Sequence, residues 1–205
     1  MIVEVAKRHY SPEEYLALEA KANFRNEYRD GYIAPMAGGT TNHNEIVTNL
    51  CVALKPPLRT RGYRLFTENV RVWVERYRIY TYPDVMIIAG EPVYHGSATT
   101  TVVNPSLVVE VASKSTKNYD QGDKFDYYRS LPSFREYVLV EQYRWRVMQH
   151  LKTPNGQWLL TDYEAQDGVL ELASLDLALP LSDLYAGVDF SLLEEDADLT
   201  PESTV

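Results

Sequence analysis

The sequence predicts one α/β domain built around a mixed β-sheet, flanked by helices and extended by β-hairpins. The chain has 205 residues, which is enough for a single domain with a sizeable core. Hydrophobic residues make up 45% and charged residues 24%, as in ordinary globular proteins. Helical and strand-like segments follow one another without an internal repeat or a linker. We therefore expect residues 1–188 to form one domain and residues 189–205 to form an acidic, flexible tail.

The first sixty residues predict two helices with a hairpin between them. The stretch SPEEYLALEA opens with an N-cap serine, a proline and a glutamate at the third helical position, so a short helix follows. Asp30-Gly31 is a hairpin turn signal. From residue 40 to 61, apolar residues recur at helical spacing, with Thr41 or Asn42 as the expected cap. Pro56-Pro57 should weaken the end of this helix.

The remainder predicts mainly strands. The segment YRLFTENVRVWVERYRIYTYPDVMII is rich in aromatic and β-branched residues, and LVVEVAS and FREYVLVEQ are further strands. EPVYHGSATTTVVNPS is expected to be a loop, and TKNYDQGDKFDYYRSL a helix that Asp120 helps to start. After residue 142 we expect hairpins, with turns at Asn155-Gly156 and Asp167-Gly168.

Composition argues for a cytoplasmic protein. Cys51 is the single cysteine, so no internal disulfide can form. The N-terminus does not resemble a signal peptide, and no apolar run approaches the roughly 18 residues of a membrane helix. We expect no membrane partner.

The net charge of −9 argues at first against nucleic acid. However, residues 189–205 hold six of the acids and no base. Residues 55–78 hold seven bases against two acids. This segment is either a phosphate-facing stripe or an arginine-rich solvated strand pair.

Two carboxylates accompany successive buried strands. Asp84 stands before Val85 and Glu110 lies within LVVEVAS. If the strands are neighbours, both side chains can meet on one face, where they would repel unless a cation lies between them. Mg²⁺ takes one or two carboxylates and completes its shell with waters and phosphate oxygens. Each acid alone could instead be a strand cap or an outward-facing residue.

Lys124, on the predicted helix after Glu110, is the candidate cation for such a site. It borders the apolar stripe of Phe125 and Tyr128, so its ammonium can reach the carboxylates while its methylenes cover apolar surface. The alternative is a surface lysine paired with Asp120 at i, i+4.

The segments YPDVMII and NPSLVVEVASKSTKNYDQGDKFDYYRSLPSFREYVLV resemble the bacterial family named "putative restriction endonuclease", formerly a domain of unknown function. That family is similar to the PD-(D/E)xK nuclease superfamily. The resemblance extends from about Ser11 to Tyr185 and implies a restriction-endonuclease-like core. It implies a DNA-cleaving hydrolase with Mg²⁺ or Mn²⁺ as cofactor.

Carried over by position, the resemblance makes Asp84, Glu110 and Lys124 the catalytic residues. Asp84, Glu110 and the Val111 carbonyl become the metal ligands. The usual lysine position holds Ala112, which is why the lysine role falls to the helix. Lys117 and, less favoured, Lys114 are rivals in the intervening turn.

Three further residues match positions in the family that the chain resembles or in its superfamily, and they are accessory candidates: His43, Glu45 and Glu27. His43 could touch phosphate or bond locally, and Glu45 could share the metal if it faces the sheet. Asp120 is expected to cap its helix and Asp123 to be solvated.

Two functions of different class stay open at this stage. The first is a Mg²⁺-dependent DNA endonuclease. The second is a nuclease-fold protein with a degraded site that binds nucleic acid or protein. A metal-free scaffold is a distant third. We also expect a homodimer, because cutting both strands needs two sites, with the apolar segment LALPLSDLYAGV as its surface.

Overall fold

The computed structural model describes residues 8–36, 38–113 and 119–191. Its four helices, numbered along the described chain, are α1 Pro12–Glu19, α2 Thr41–Thr60, α3 Phe125–Arg129 and α4 Leu181–Leu184. A π-helical turn, Asp120–Lys124, runs directly into α3. No helix among these residues combines the length and the apolar character needed to cross a bilayer.

The strands of the described residues, in chain order, are β1 Asn26–Arg29, β2 Tyr32–Pro35, β3 Tyr63–Thr67, β4 Arg71–Val74, β5 Ile79–Thr81, β6 Val85–Ala89, β7 Thr101–Val102, β8 Leu107–Ala112, β9 Glu136–Glu141, β10 Val147–Lys152, β11 Trp158–Tyr163, β12 Val169–Leu172 and β13 Leu177–Pro180. They form a six-stranded sheet in the order β11-β10-β9-β8-β6-β3 and a five-stranded sheet in the order β2-β1-β5-β4-β7. Strands β12 and β13 pair separately.

The predicted mixed sheet is confirmed in the six-stranded sheet. Strands β8 and β9 are parallel, whereas β6 and β8 are antiparallel. Parallel neighbours need a crossover connection, and the segment containing α3 provides it. The second, five-stranded sheet was not foreseen from the sequence.

Local signals at the start of the chain act as expected. Ser11 and Glu14 form the reciprocal capping box of α1. Asp30 and Gly31 both have positive φ, 40° and 100°, as a two-residue hairpin with a type I′ turn requires. The cap of α2 was predicted wrongly: the Thr40 side chain accepts from the His43 N–H. The helix also continues through Pro56-Pro57 to Thr60.

Three other expectations need correction. The expected loop after β6 contains the short strand β7, which pairs in parallel with β4. Asp167-Gly168 does not join a hairpin, because β12 pairs with β13 and not with β11. In LALPLSDLYAGV the large side chains of Leu179, Leu181, Leu184 and Tyr185 are buried in the core on the α2 side of the six-stranded sheet, so they offer no dimer surface.

The bases of residues 55–78 do not form one phosphate-facing stripe. Lys55 and Arg59 lie on α2, whereas Arg71 lies on β4 in the other sheet. Arg64 pairs with Glu91 at 2.7 Å, and Arg78 with Asp30 at 2.9 Å. These bases therefore lie on separate elements, and some of their positive charge is neutralised by nearby acids.

Two apolar layers cover the six-stranded sheet. On one face α2 packs over β6, β8 and β9 through residues such as Ile46, Leu50 and Val109. On the other face Met86 and Val108 pack against α3 and against β4 and β5. The beginning of the expected acidic tail is also attached, since Asn42 Nδ2 donates to the Asp189 carbonyl at 2.9 Å.

Candidate active site

Asp84 and Glu110 lie side by side on the face of the sheet that carries α3. Val85 pairs with Val109 in the antiparallel register of β6 and β8, so Asp84 lies opposite Glu110, one residue further along. Side chains alternate between faces, and Asp84 and Glu110 therefore share the face of Met86 and Val108. The Val111 N–H donates to Asp84 Oδ2 at 2.7 Å, which fixes this carboxylate across the two strands.

Lys124 reaches this pair from the π-helical turn. Its Nζ lies 3.1 Å from Glu110 Oε2, 3.0 Å from Asp120 Oδ1 and 3.9 Å from Glu27 Oε1. Its side chain is only 9% exposed, so it is no surface lysine. π-Helical turns occur frequently at functional sites. Ala112, in the usual lysine position, is buried, and its carbonyl accepts from Gln142 Nε2 at 3.1 Å.

Asp120 does not cap the helix, contrary to the sequence expectation. Asp120 is buried, and its carboxylate is paired with Lys124 one turn further along the chain. The Tyr137 hydroxyl donates to the Asp120 carbonyl at 2.6 Å. Asp123 is exposed, as expected. The pairing of Asp120 with Lys124 at i, i+4 was foreseen, but its burial beside Glu110 was not.

Glu27 approaches from the five-stranded sheet. It lies on β1, is buried, and its carboxylate accepts hydrogen bonds from Thr81 and from Arg29, whose NH2 is 2.6 Å from Oε2. The Tyr119 hydroxyl lies 3.4 Å from the same oxygen. The accessory residue Glu27 therefore meets Lys124 from the side opposite to β8.

The two accessory candidates on α2 differ in position. His43 Nε2 lies 3.2 Å from Asp84 Oδ2, so His43 contacts the site through the aspartate. Glu45 is exposed, and its carboxylate lies beside Gly187. Glu45 therefore points away from the sheet, and the structure does not bring it to the site. Lys114 and Lys117 lie outside the described residues.

The pKa values reflect crowding of acids around one ammonium. Burial raises the pKa of Glu110 well above its usual range, and the charges of Asp84 and Asp120 add to this, although Lys124 opposes it. Burial would lower the pKa of Lys124, but the surrounding carboxylates, Glu110 foremost, raise it well above the usual value. Lys124 is thus charged at neutral pH.

The two outer carboxylates remain ionised. For Asp84, burial would raise the pKa, yet the hydrogen bond and charge of His43 outweigh it and lower the value. For Glu27, burial is likewise outweighed, here by Lys124 and the hydrogen bond from Thr81. The site therefore combines ionised acids at its edges with a central glutamate whose ionisation is costly.

The donor set of the site fits a hard divalent ion. Asp84 and Glu110 offer carboxylate oxygens on one face, and the backbone of Val111 lies beside them, since its N–H donates to Asp84. Burial is the main cause of the raised pKa of Glu110, and the charges of Asp84 and Asp120 add to it, so a bound cation would favour the ionised carboxylate. Among residues 8–36, 38–113 and 119–191, no three His, Cys, Asp or Glu side chains are arranged as a complete ligand cage.

Two residues of the site were missed or misread from the sequence. Tyr128 appeared only as part of an apolar stripe, but its hydroxyl donates to Glu110 Oε1 at 2.8 Å. Thr81 donates to Glu27 from β5. A buried tyrosine four residues after a candidate lysine was the available signal for Tyr128. Nothing in the sequence indicated Thr81, because its role depends on the second sheet.

The fold is restriction-endonuclease-like, a class that it shares with a solved protein. A solved structure with a similar fold is described as a putative nuclease belonging to DUF820, from Anabaena variabilis. It aligns with a TM-score of 0.66 over 86% of this chain and 97% of the other, at 17% identity. At that identity the likeness concerns the fold alone.

Sequence comparisons identify the family. The Uma2 family, described as "Putative restriction endonuclease", matches residues 12–182. Two proteins of Synechocystis, both described as uncharacterized, are similar along most of the chain. One, sll1609, is 35% identical and covers 86% of this chain and 100% of its own length. The other, slr1290, is 34% identical and covers 88% and 93%. The chain belongs to the Uma2 family, and family and fold together support a nuclease role.

Proposed function

We propose that the protein is a divalent-metal-dependent endonuclease that hydrolyses DNA phosphodiester bonds. The observation that carries the proposal is the convergence of Asp84, Glu110 and Lys124 on one face of the sheet, with Lys124 Nζ 3.1 Å from Glu110. These are the residue types that phosphodiester hydrolysis needs: hard oxygen ligands and a cation.

Asp84, Glu110 and the Val111 carbonyl would hold Mg²⁺ or Mn²⁺. The bound ion would supply a water of lowered pKa and charge stabilisation at the phosphate. His43 and the Val111 N–H hold the Asp84 carboxylate in place. Tyr128 does the same for Glu110. The charged Lys124 orients the attacking water and stabilises the negative charge that develops on the phosphoryl oxygens.

The acidic partners of Lys124 give the lysine its charge state. Glu27 and Asp120 raise its pKa together with Glu110, so Lys124 acts as an electrostatic group and not as a base at neutral pH. Because Glu27 stands on the five-stranded sheet, that sheet takes part in positioning the cation.

The decisive experiment is divalent-metal titration with plasmid DNA. Wild type should nick or linearise the plasmid with Mg²⁺ or Mn²⁺ and not with EDTA, and Asp84→Ala should be inactive. Asp183→Ala, an exposed aspartate on α4, is the matched control and should cleave like wild type. If folded wild type bound DNA without cutting it at any metal concentration, the binding-module alternative would replace the nuclease.

The homodimer stays a prediction. The large apolar side chains of the segment first expected to form it are buried, but the edge strand β11 exposes Leu159 by 54% and Leu160 by 52%. Open apolar edges favour pairing with a second chain. Light scattering at micromolar concentration should give twice the monomer mass; a monomer would remove this prediction.

A further inference from the structure

A row of aromatic rings and arginines leads away from the active site. We define the arginine–tyrosine strip by the side chains that form it: Arg29, Tyr119, Tyr127, Tyr77, Arg76 and Arg129. Its first contact is the guanidinium of Arg29, whose Cζ lies 3.7 Å from the centroid of the Tyr119 ring. The same ring lies 5.6 Å from the Nζ of Lys124, so the strip begins at the proposed catalytic cation.

The rings continue without interruption. Tyr119 contacts Tyr127 with centroids 6.2 Å apart, and Tyr127 contacts Tyr77 at 5.0 Å. The guanidinium of Arg76 lies 5.6 Å from the Tyr77 ring centroid. All three tyrosines are half-buried, which fixes their rings while leaving part of each accessible. Nothing in the proposed hydrolysis uses these rings.

The far end of the strip opens into a cavity of about 280 Å³, lined by Arg76, Tyr77, Asp126, Arg129, Ser130 and Trp158. Arg129 is paired with Asp126 at 2.7 Å, but the two side chains are 46% and 50% exposed. An exposed pair of this kind is weak and exchanges readily for another anion. Arg76 is exposed as well.

The carboxylates near the strip leave some guanidinium donors of its arginines free. The Nε and Nη2 groups of Arg29 donate to Glu27, and Arg129 is paired with Asp126. A guanidinium has five N–H donors in a planar fork, so donors remain for phosphate oxygens. Two further exposed acids lie along the strip: Asp123 beside Tyr127, and Glu75, which precedes Arg76 in the chain. Three arginines thus line one path on a chain with a net charge of −9.

Resting on the proposed function, we propose that the strip binds the single-stranded flank of the nucleic acid that the enzyme cleaves. Phosphates contact the arginines, and unpaired bases stack on the tyrosines. Aromatic faces that alternate with bases are the means by which proteins bind single strands without sequence preference. A duplex keeps its bases stacked on one another, so the strip selects unpaired nucleotides beside the scissile bond.

Binding is best measured apart from cleavage. The probe is a fluorescein-labelled thymidine oligonucleotide longer than the roughly 4–16 nucleotides that such sites occupy, followed by anisotropy in EDTA. The double variant Arg76→Ala, Arg129→Ala should weaken binding. It should also reduce the slope of the logarithm of the association constant against the logarithm of the salt concentration by about 1.4, since each lost phosphate contact on a single strand contributes about 0.7. The matched control is Lys55→Ala with Arg59→Ala, which removes the same charge from α2 on the opposite face of the six-stranded sheet.

A second pair of variants tests stacking. Tyr77→Leu with Tyr127→Leu should weaken binding of the thymidine strand by roughly tenfold or more and leave binding of an abasic strand of equal length unchanged. Tyr63→Leu, a half-buried tyrosine on the α2 face, is the control and should change neither. Thermal unfolding shows that each variant is folded.

The outcomes separate this inference from the proposed nuclease. If wild type binds single strands as described but cuts no DNA with Mg²⁺, the strip stands and the nuclease fails. If wild type cuts plasmid while the strip variants bind as tightly as their controls, the strip is refuted and the nuclease stands. Tighter binding of duplex than of single strand, or equal competition by polyglutamate, would also overturn the inference.

Discussion

Two buried glutamates on neighbouring parallel strands have very different surroundings. Glu110 on β8 is 1% exposed and Glu136 on β9 is 0% exposed. The register places Glu110 opposite Leu139 and Glu136 opposite Leu107, so the two acids lie at different heights in the sheet. Burial raises the pKa of both.

The partners make the difference. Glu136 accepts from Gln149 Nε2 and from the Ser174 N–H at 3.0 Å, and both donors are neutral. Glu110 instead faces Lys124 together with Asp84 and Asp120. Grouping several acids around one buried ammonium is a poor way to gain stability. A raised pKa alone therefore does not distinguish a functional carboxylate from a structural one, whereas a surplus of like charge around a cation does.

The largest effect is expected from removing the cation of the Glu110 group. Lys124→Ala should reduce cleavage by roughly 10³–10⁵, the range for cations that stabilise transferring phosphoryl groups. Mn²⁺ binding by calorimetry should persist, because the proposed ligands remain. Lys124→Arg keeps the charge but misplaces it, so a large partial loss is expected. Lys55→Ala, exposed on α2, is the control.

One result would change this assignment, provided that the variant is folded. Lys124→Ala leaves Glu110 and Asp120 without their cation, so circular dichroism must show that the variant is folded. If the folded variant cut at the wild-type rate while Lys117→Ala did not, the role would pass to Lys117.

The next effect compares the two glutamates directly. Glu110→Gln should lower cleavage by roughly 10²–10³, because it replaces a carboxylate oxygen that would hold the metal ion at the reacting centre. Glu136→Gln should leave the cleavage rate unchanged, since the glutamine resembles the protonated acid in a neutral environment. Rates with plasmid DNA at saturating Mg²⁺ check both. Equal losses in the two variants would mean that Glu110 has no more direct part in the reaction than Glu136.

A smaller effect is expected from the hydroxyl groups that support each glutamate. Tyr128→Phe removes the donor to Glu110 at 2.8 Å and should lower cleavage by about tenfold, the scale for groups that orient ligands. Tyr163→Phe removes the donor to Gln149 at 2.9 Å, the partner of Glu136, and should leave the rate unchanged. A Tyr128→Phe variant that cleaves at the wild-type rate would show that Lys124 alone is enough to hold Glu110.

The sequence predicted that Asp84, Glu110 and Lys124 come together, but it did not predict the residues that surround them. Asp84 and Glu110 were predictable because strand alternation and an antiparallel pair fix which side chains share a face. Lys124 was predictable from the apolar stripe beside it. The placement of these residues follows from local periodicity and the assumption that β6 and β8 are neighbours, whereas the choice of Lys124 over other lysines came from the family resemblance.

What escaped prediction depends on long-range packing or on unusual backbone. The five-stranded sheet pairs β1 with β5 across fifty residues, and that pairing brings Thr81 to Glu27. The π-helical turn rotates Asp120 inward beside Lys124, where a regular helix start would have left it as a cap. The sequence could not show that His43 contacts the site while Glu45 does not, because that depends on which face α2 turns toward β6.

The smallest expected effect is the pH dependence of the Glu136 region. Burial raises the pKa of Glu136 in the folded state, although Ser174 and Gln149 oppose the shift. Between the unfolded value, about 4.3 for glutamate, and the raised value, the folded chain binds more protons, so its stability falls as pH rises. Glu136→Gln carries no titrating proton there. The free energy of unfolding of wild type minus that of the variant should therefore be largest near pH 4 and decrease with pH, by at most about 1.4 kcal/mol per unit. Urea unfolding of both proteins from pH 4 to 8 measures this. A difference that instead grew with pH would mean that Gln149 and Ser174 stabilise the ionised carboxylate more than burial penalises it.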